Sequence, residues 1–118
     1  MSREENPAPL ANVNGEILPL ARATVPVLDR GFLFGDAVYE VLRVYAGRPW
    51  LEAEHFARLE HSLAAIRIGG VDVARVRRRM HETIAAGPFY EATAYIQITR
   101  GAAPRTHAFP PPARSRSS

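Results

Sequence analysis

The sequence contains no lysine, because all 15 of its Lys or Arg positions are arginine. A lysine amine is the usual protein group for condensing with a carbonyl cofactor or substrate, whereas the arginine guanidinium stays protonated. The chain by itself therefore has neither a lysine Schiff base nor a lysine general base. A GC-rich coding sequence, with its bias toward Ala, Arg and Pro, is one explanation; the other is that the lysine belongs to a longer protein.

Cysteine and long apolar runs are also missing from the sequence. Disulfides and thiolate metal sites are therefore excluded. No segment approaches the roughly 18 apolar residues that a membrane-spanning helix needs. The acidic start, with Glu4 and Glu5, does not look like a signal peptide. These absences predict a cytoplasmic chain with no membrane partner.

The basic residues and histidines do not form a pattern that predicts nucleic-acid or metal binding. The net charge is +3, and the densest basic run is Arg77 to Arg79. Acidic residues are spread among the arginines and no nucleic-acid motif is present, so a solvated helix face explains the run better. His55 and His61 are six residues apart and do not share a helical face. We expect neither a nucleic-acid partner nor a bound metal.

The first half of the chain has the turn signals and alternation of β-structure. Residues 1–9 are polar and are expected to be loose. An Asn-Gly pair at positions 14–15 predicts a hairpin over Leu10 to Leu20, because both residues tolerate positive φ. Asp29 to Asp36 holds two glycines and two phenylalanines, which indicates a packed loop. Val38 to Tyr45 alternates as a strand, with Tyr39, Val41, Arg43 and Tyr45 on one face and Val38, Glu40, Leu42 and Val44 on the other.

Helical periodicity dominates the second half. Apolar residues spaced by three and four predict a helix over Glu52 to Ile68, which Gly69-Gly70 should stop. Asp72 is a candidate N-cap for a second helix ending at Gly87-Pro88. Strands are predicted at Trp50-Leu51 and at Thr93 to Arg100. The order of hairpin, strand, helix, helix and strand predicts an α+β domain over residues 10–110, followed by a disordered or linker-like tail at 111–118.

Arg105 and His107 are the sharpest candidate pair for binding a ligand. They are two residues apart, so in an extended loop both side chains project to the same side. An arginine fork gives bidentate hydrogen bonds to a carboxylate, and an imidazole adds another donor. On local spacing alone, a solvated loop arginine and histidine remain the simpler interpretation.

Tyr39 and Arg58 are two further candidates, each with an ordinary structural alternative. Tyr39 offers a phenol donor from a strand, although a core tyrosine would fit the same pattern. Arg58 lies on the predicted helix away from its apolar stripe, where a solvated arginine is the simpler interpretation. Pattern alone leaves both alternatives open.

Three blocks of this sequence, in order, resemble the class IV aminotransferases, which are fold-type IV enzymes using pyridoxal 5′-phosphate (PLP). The first block is DRGFLFGDAVYEV at residues 29–41, and the second is EHFARL at residues 54–59. The third comprises YIQITRG at residues 95–101 and PRTHAFP at residues 104–110, and it resembles the D-amino-acid aminotransferase branch in particular. The resemblance covers about residues 10–110.

This resemblance implies a small N-terminal domain with an antiparallel sheet and two helices, and it implies roles for individual residues. Arg58 would hold the PLP phosphate. Tyr39, Arg105 and His107 would bind the substrate α-carboxylate, and Val41 would line the same cavity. The implied reaction moves an amino group between a D-amino acid and a 2-oxo acid. Branched-chain aminotransferases and aminodeoxychorismate lyases share the first two blocks but lack the Arg-x-His element.

The same resemblance places the catalytic lysine outside these 118 residues. Family members are more than twice as long, and their second domain carries the Schiff-base lysine, so no catalytic residue is assigned here. We therefore expect a truncated half that is inactive alone, and a homodimer where the second domain is present. The alternatives are a non-catalytic product acting as an interaction domain, or another class IV activity such as a branched-chain transaminase or a lyase.

Overall fold

The computed structural model describes residues 7–101 and 116–117. Most of the loose start and of the disordered tail that the sequence predicts therefore lies outside the described residues, as do Arg105 and His107. Two residues of that tail, Arg116–Ser117, form a short strand, β6. No helix in the described part of the chain is long and apolar enough to cross a membrane.

The predicted hairpin is confirmed. Strands β1 (Leu10–Val13) and β2 (Glu16–Pro19) pair antiparallel. Asn14 and Gly15 form the turn with φ values of 54° and 98°, in the left-handed region that favours these residue types. The Asn12 side chain accepts a hydrogen bond from the Gly15 amide at 2.8 Å and donates to the Thr83 hydroxyl at 3.0 Å. The second contact joins the hairpin to the second long helix.

Among the described residues, the principal sheet has four strands in the order β4-β3-β5-β6, with antiparallel neighbours. Its centre is the long pair of β3 (Ala37–Tyr45) and β5 (Ala92–Thr99), which are hydrogen-bonded from Ala37 opposite Thr99 to Val44 opposite Ala92. Within the part of the chain that the structure describes, strand β4 (Arg48–Pro49) pairs only with the end of β3. The brief strand predicted at Trp50-Leu51 is thus wrong by two residues, since Arg48 and Pro49 pair with Tyr45 and Val44.

Helices α2 (Glu52–Ala65) and α3 (Val73–Ala85) cover one face of this sheet. The alternation predicted for this strand is confirmed, and the structure places the even-numbered side chains of β3 in the core. Asp72 caps α3, also as predicted, by accepting a hydrogen bond from the Arg75 amide. The buried core comprises Val38, Leu42, Phe56, Leu59, Leu63, Ile68, Val76, Met80, Ile96 and Ile98. This α+β arrangement confirms the fold class.

The end of α2 and the predicted packed loop also differ from the sequence prediction. Helix α2 ends at Ala65 rather than at Ile68, and Arg67 adopts a φ of 59°. The segment predicted to be a packed loop contains a short helix, α1 (Arg30–Phe34), which Asp29 caps through the Gly31 amide at 2.8 Å. Both features lie beside the end of β5. Backbone hydrogen bonds in this region fix the position of the residues that lead into β3.

Candidate functional site

The site candidates Tyr39 and Val41 lie on the exposed face of β3, opposite the helices. Tyr39 is 62% exposed and Val41 is 43% exposed. Tyr39 stacks on Tyr95 of β5, with ring centroids 5.7 Å apart and ring planes 17° from parallel. Val41 is the direct register partner of Tyr95. The face therefore offers an apolar surface with two phenols beside each other, and Tyr95 was not singled out from the sequence.

This part of β3 also borders an open edge of the sheet. Among the described residues, β4 pairs only with Val44 and Tyr45, so the stretch Tyr39–Val41 has no strand neighbour on the β4 side. The side chains of Tyr39 and Val41 are exposed along that stretch, whereas Glu40 is buried.

Glu40 occupies the opposite face of β3, and it binds Arg58 of α2. Only 6% of Glu40 is exposed, although it lies in an otherwise apolar row between Val38 and Leu42. Arg58 Nε donates to Oε2 at 3.0 Å, and Nη2 donates to Oε1 at 2.8 Å. This is a two-pronged contact of the kind that a planar guanidinium makes with a carboxylate. The Arg58 side chain is 64% exposed, so the pair joins a buried anion to an accessible cation.

His55, one turn before Arg58 on α2, also contacts the Glu40 carboxylate. Its Nδ1 lies 2.7 Å from Oε1, and the His55 side chain is 17% exposed. The hydrogen bond from Arg58 is the largest influence on the Glu40 carboxyl; together with His55 it outweighs burial and lowers the pKa below 4.5. The same pairing raises the pKa of Arg58 above its usual value. Glu40 is therefore an ionised carboxylate at neutral pH.

The arrangement leaves part of the Arg58 guanidinium available. Glu40 engages the Nε and Nη2 side of the fork, whereas the described residues supply no hydrogen-bond partner for Nη1. A guanidinium carries five donors in a fixed plane, so the outer edge can still donate to an oxyanion. Glu40 could have been found in the sequence, because a carboxylate in an apolar row requires a cationic partner.

Two of the predicted site residues, Arg105 and His107, lie outside the described residues, but the start of their segment is well anchored. The Arg30 amide donates to the Gly101 carbonyl at 2.8 Å, and the Arg100 amide donates to the Asp36 carbonyl at 3.1 Å. The Arg100 side chain also donates to the Asp36 carboxylate. The chain thus leaves β5 beside the residues that lead into β3 and Tyr39.

Other concave or charged features do not coincide with these candidates. A groove of about 930 Å³ runs between the hairpin, α3 and β5, but neither Tyr39, Val41 nor Arg58 lines it. Within residues 7–101 and 116–117, no group of three His, Asp or Glu side chains is placed to hold a metal ion. His55 faces Glu40 instead. The carboxylate–guanidinium edge of β3 remains the candidate site.

Comparison with known proteins adds a family to this geometry. The family model of the class IV aminotransferases matches residues 37–117. The chain is 38% identical over 101 residues to a D-alanine aminotransferase of Staphylococcus haemolyticus, covering 85% of this chain and 36% of that protein. It is 37% identical over 100 residues to a D-alanine aminotransferase of Bacillus licheniformis, covering 81% and 34%. The chain thus spans about a third of the length of these curated relatives.

Solved structures show the same domain. The 4-amino-4-deoxychorismate lyase of Pseudomonas aeruginosa is 36% identical, with a TM-score of 0.71, over 80% of this chain and 34% of that one. The branched-chain amino acid aminotransferase of Escherichia coli superposes with a TM-score of 0.81 over 93% of this chain and 39% of that one. Because the identity is only 20%, the second comparison supports the fold alone.

Proposed function

Because this chain belongs to the class IV aminotransferase family, we propose that it forms the N-terminal part of a PLP-dependent D-amino-acid transaminase. The observation that carries the proposal is the Arg58–Glu40 pair, which leaves a fixed cationic edge accessible next to the strand bearing Tyr39 and Val41. The reaction moves an amino group between a D-amino acid and a 2-oxo acid. Relatives named D-alanine aminotransferase support this choice of substrates. We place the longer enzyme in the cytoplasm as a homodimer.

The residues present fit one part of PLP and not another. The outer edge of Arg58 suits the phosphate, since a permanent cation with parallel donors matches its oxygens. The aldehyde needs a lysine amine, and these 118 residues contain none. When bound, PLP supplies the electron sink for the reaction. This chain would contribute an anchor for the cofactor, but not the amine that moves the proton.

The substrate carboxylate is the second task that we assign to this chain. The Tyr39 hydroxyl would donate to it from the exposed sheet face, and Val41 would form the apolar wall beside it. Arg105 and His107 would add a guanidinium fork and an imidazole donor. Holding the carboxylate at a distance from the reacting carbon devotes binding energy to alignment. The side on which the carboxylate is held would decide which enantiomer directs its Cα hydrogen toward the lysine supplied by the rest of the enzyme.

A different class IV activity is the second candidate, because a lyase is 36% identical to this chain. The Arg105-Thr106-His107 element favours the D-amino-acid reaction over the lyase and branched-chain reactions. A non-catalytic role as an interaction domain is the third candidate. It would leave Arg58 with a purely structural role.

A chimera tests the activity directly. Residues 10–110 replace the corresponding segment of the Staphylococcus haemolyticus D-alanine aminotransferase, which supplies the lysine-bearing remainder. We expect pyruvate from D-alanine and 2-oxoglutarate, little from L-alanine, and a raised KM for D-alanine when Arg105→Gln or His107→Gln is introduced. A folded, PLP-loaded chimera that prefers L-amino acids, or that cleaves aminodeoxychorismate, would assign one of the other class IV activities.

The 118-residue chain alone provides a second arm. Mixed with PLP and reduced with borohydride, it should show by mass spectrometry no adduct at an internal residue, and it should not transaminate. Because the chain has no lysine, its N-terminal amine is its only primary amine and serves as the reference for labelling. An adduct at a defined internal position would contradict this expectation.

A further inference from the structure

We propose that Glu40 is a positioning residue for phosphate binding: its buried carboxylate holds the inner edge of the Arg58 guanidinium so that the outer edge faces the phosphate. This inference rests on the proposed function, because it takes the PLP phosphate as the ligand of Arg58. It assigns a role to a residue that itself touches neither cofactor nor substrate.

The first step is the place of Glu40 in the core. It lies between the buried side chains of Val38 and Leu42 and is 6% exposed. A charge at such a position is costly unless it is paired, and replacing a buried ion pair with apolar residues is often neutral or stabilising. Stability alone therefore does not require a charged pair at this position, even though the pairing stabilises the ionised carboxylate once it is there. The other effect of the pair is that Glu40 orients the exposed Arg58 side chain.

The second step is the geometry of the fork. Oε2 accepts from Nε at 3.0 Å, and Oε1 accepts from Nη2 at 2.8 Å, so the plane of the guanidinium is fixed by two parallel contacts. His55 Nδ1 fixes Oε1 in turn at 2.7 Å. An arginine side chain free in water would lose rotamer entropy on binding a phosphate. Glu40 and His55 remove that loss before any ligand arrives.

The third step is the competing effect of the carboxylate charge, which repels a phosphate. That repulsion is screened by water, because the Arg58 side chain is 64% exposed. Glu40 engages the Nε and Nη2 side of the guanidinium, so a phosphate bound at the outer edge would lie nearer the cation than the carboxylate. Loss of orientation is not screened by solvent. We therefore expect removal of the Glu40 charge to weaken phosphate binding rather than strengthen it.

A second cluster in the same chain provides a matched control. Glu52 at the start of α2 is bound by Arg77 and by His81, whose Nε2 lies 2.8 Å from Oε2. The groups are thus the same as in the Glu40 cluster, a carboxylate with an arginine and a histidine. They lie between α2 and α3 and are not part of the candidate site. Glu52→Gln removes the same charge as Glu40→Gln without touching Arg58.

The experiment uses the whole 118-residue chain, labelled with nitrogen-15, and observes the arginine Nε–H signals by NMR. Arg58→Gln identifies the Arg58 signal by its loss. The probes are pyridoxine 5′-phosphate and pyridoxine, which differ only in the phosphate and cannot condense with an amine. We expect the phosphate-bearing probe to bind more tightly to the wild-type chain. This advantage is the ratio of the affinities for the two probes. It should fall by about fivefold in Glu40→Gln, because the Arg58 side chain must then lose rotamer entropy on binding. It should stay unchanged in Glu52→Gln.

The outcomes separate the inference from the function on which it rests. If the advantage disappears in Arg58→Gln but persists in Glu40→Gln, Arg58 binds phosphate and only the inference is overturned. If the wild-type chain shows no advantage, both are overturned. A wild-type measurement covers the case in which Glu40→Gln does not fold: the Arg58 Nε–H should exchange slowly with water before and after the phosphate is added. If the Arg58 Nε–H exchanged much faster once the phosphate was bound, the contact with Glu40 would have been lost and the inference would be overturned.

Discussion

Arg100 Nε donates to the Asp36 carboxylate at 2.7 Å, although 64 positions separate the two residues. Arg100 is 2% exposed, and its remaining nitrogens donate to the carbonyls of Ile66 and Arg67 at the end of α2. Asp36 also accepts from Arg30 Nε at 3.1 Å. One buried guanidinium thus joins the end of β5, the end of α2 and the beginning of β3.

Replacing Arg100 with methionine should therefore destabilise the domain by about 3 kcal/mol, because it leaves Asp36 and two carbonyls without their buried donor. The Arg30 contact with Asp36 survives, which keeps the loss at the lower end of the range for broken buried pairs. Urea unfolding followed by circular dichroism measures it. Arg78→Met, at an exposed position of α3, is the matched control and should change the unfolding free energy by less than about 0.5 kcal/mol. Equal losses in the two variants would contradict the bridging role of Arg100.

The Arg100 contacts also explain where sequence reasoning was wrong. Periodicity predicts α2 to continue to Ile68, but the carbonyls of Ile66 and Arg67 just after the helix bind Arg100, more than 30 residues away, and Arg67 adopts a positive φ. Helix α1 was missed because five residues are too few to show a helical period. Such endings depend on tertiary contacts that no local pattern contains.

Patterns that depend on neighbouring residues were predictable. The alternation of β3 predicted the strand and its two faces, and the Asn-Gly turn predicted the hairpin. For the site, alternation placed Tyr39 and Val41 on one face, and a carboxylate at position 40 required a cation. The identity of that cation could not be predicted from the sequence, because it depends on how α2 packs against β3. The roles of Arg105 and His107 depend entirely on the family resemblance.

Gly31 is packed so closely against Thr99 that a methyl group there should destabilise α1. A Cβ at position 31 would lie 2.4 Å from Thr99 Cγ2, and Thr99 is held in place because its hydroxyl donates to Asp29 at 3.0 Å. Gly31→Ala should lower the unfolding free energy by about 1–3 kcal/mol through overpacking. Thr99→Ser removes Cγ2 and keeps the hydroxyl, so the double variant should recover part of the loss. A double-mutant cycle in urea would show this coupling, and strict additivity would disprove the contact.

The N-terminus of α3 depends on the Asp72 side chain, which accepts from the Arg75 amide at 3.1 Å. Asp72→Ala should lower the unfolding free energy by about 1 kcal/mol, because that amide loses its partner. Asp72→Ser keeps a capping oxygen and should lose much less. Thermal melts of the three proteins would measure the order of stability. A serine variant no more stable than the alanine variant would show that capping does not account for the loss.

The ionisation of Glu40 should make part of the stability dependent on pH. Arg58 hydrogen bonding lowers the pKa of this carboxyl below 4.5, against the opposing effect of burial and with the help of His55. Because the folded pKa lies below the unfolded one, the contribution is complete above about pH 4.5 and is lost as the pH falls through the folded value. Arg58→Gln should therefore raise the Glu40 pKa, measured by carbon-13 NMR of the side-chain carboxyl, whereas Arg78→Gln should not. The unfolding free energies of wild type and Glu40→Gln, compared in urea, should converge as the pH is lowered below 4.5. A Glu40 pKa that is the same in Arg58→Gln and wild type would show that the arginine does not stabilise the carboxylate.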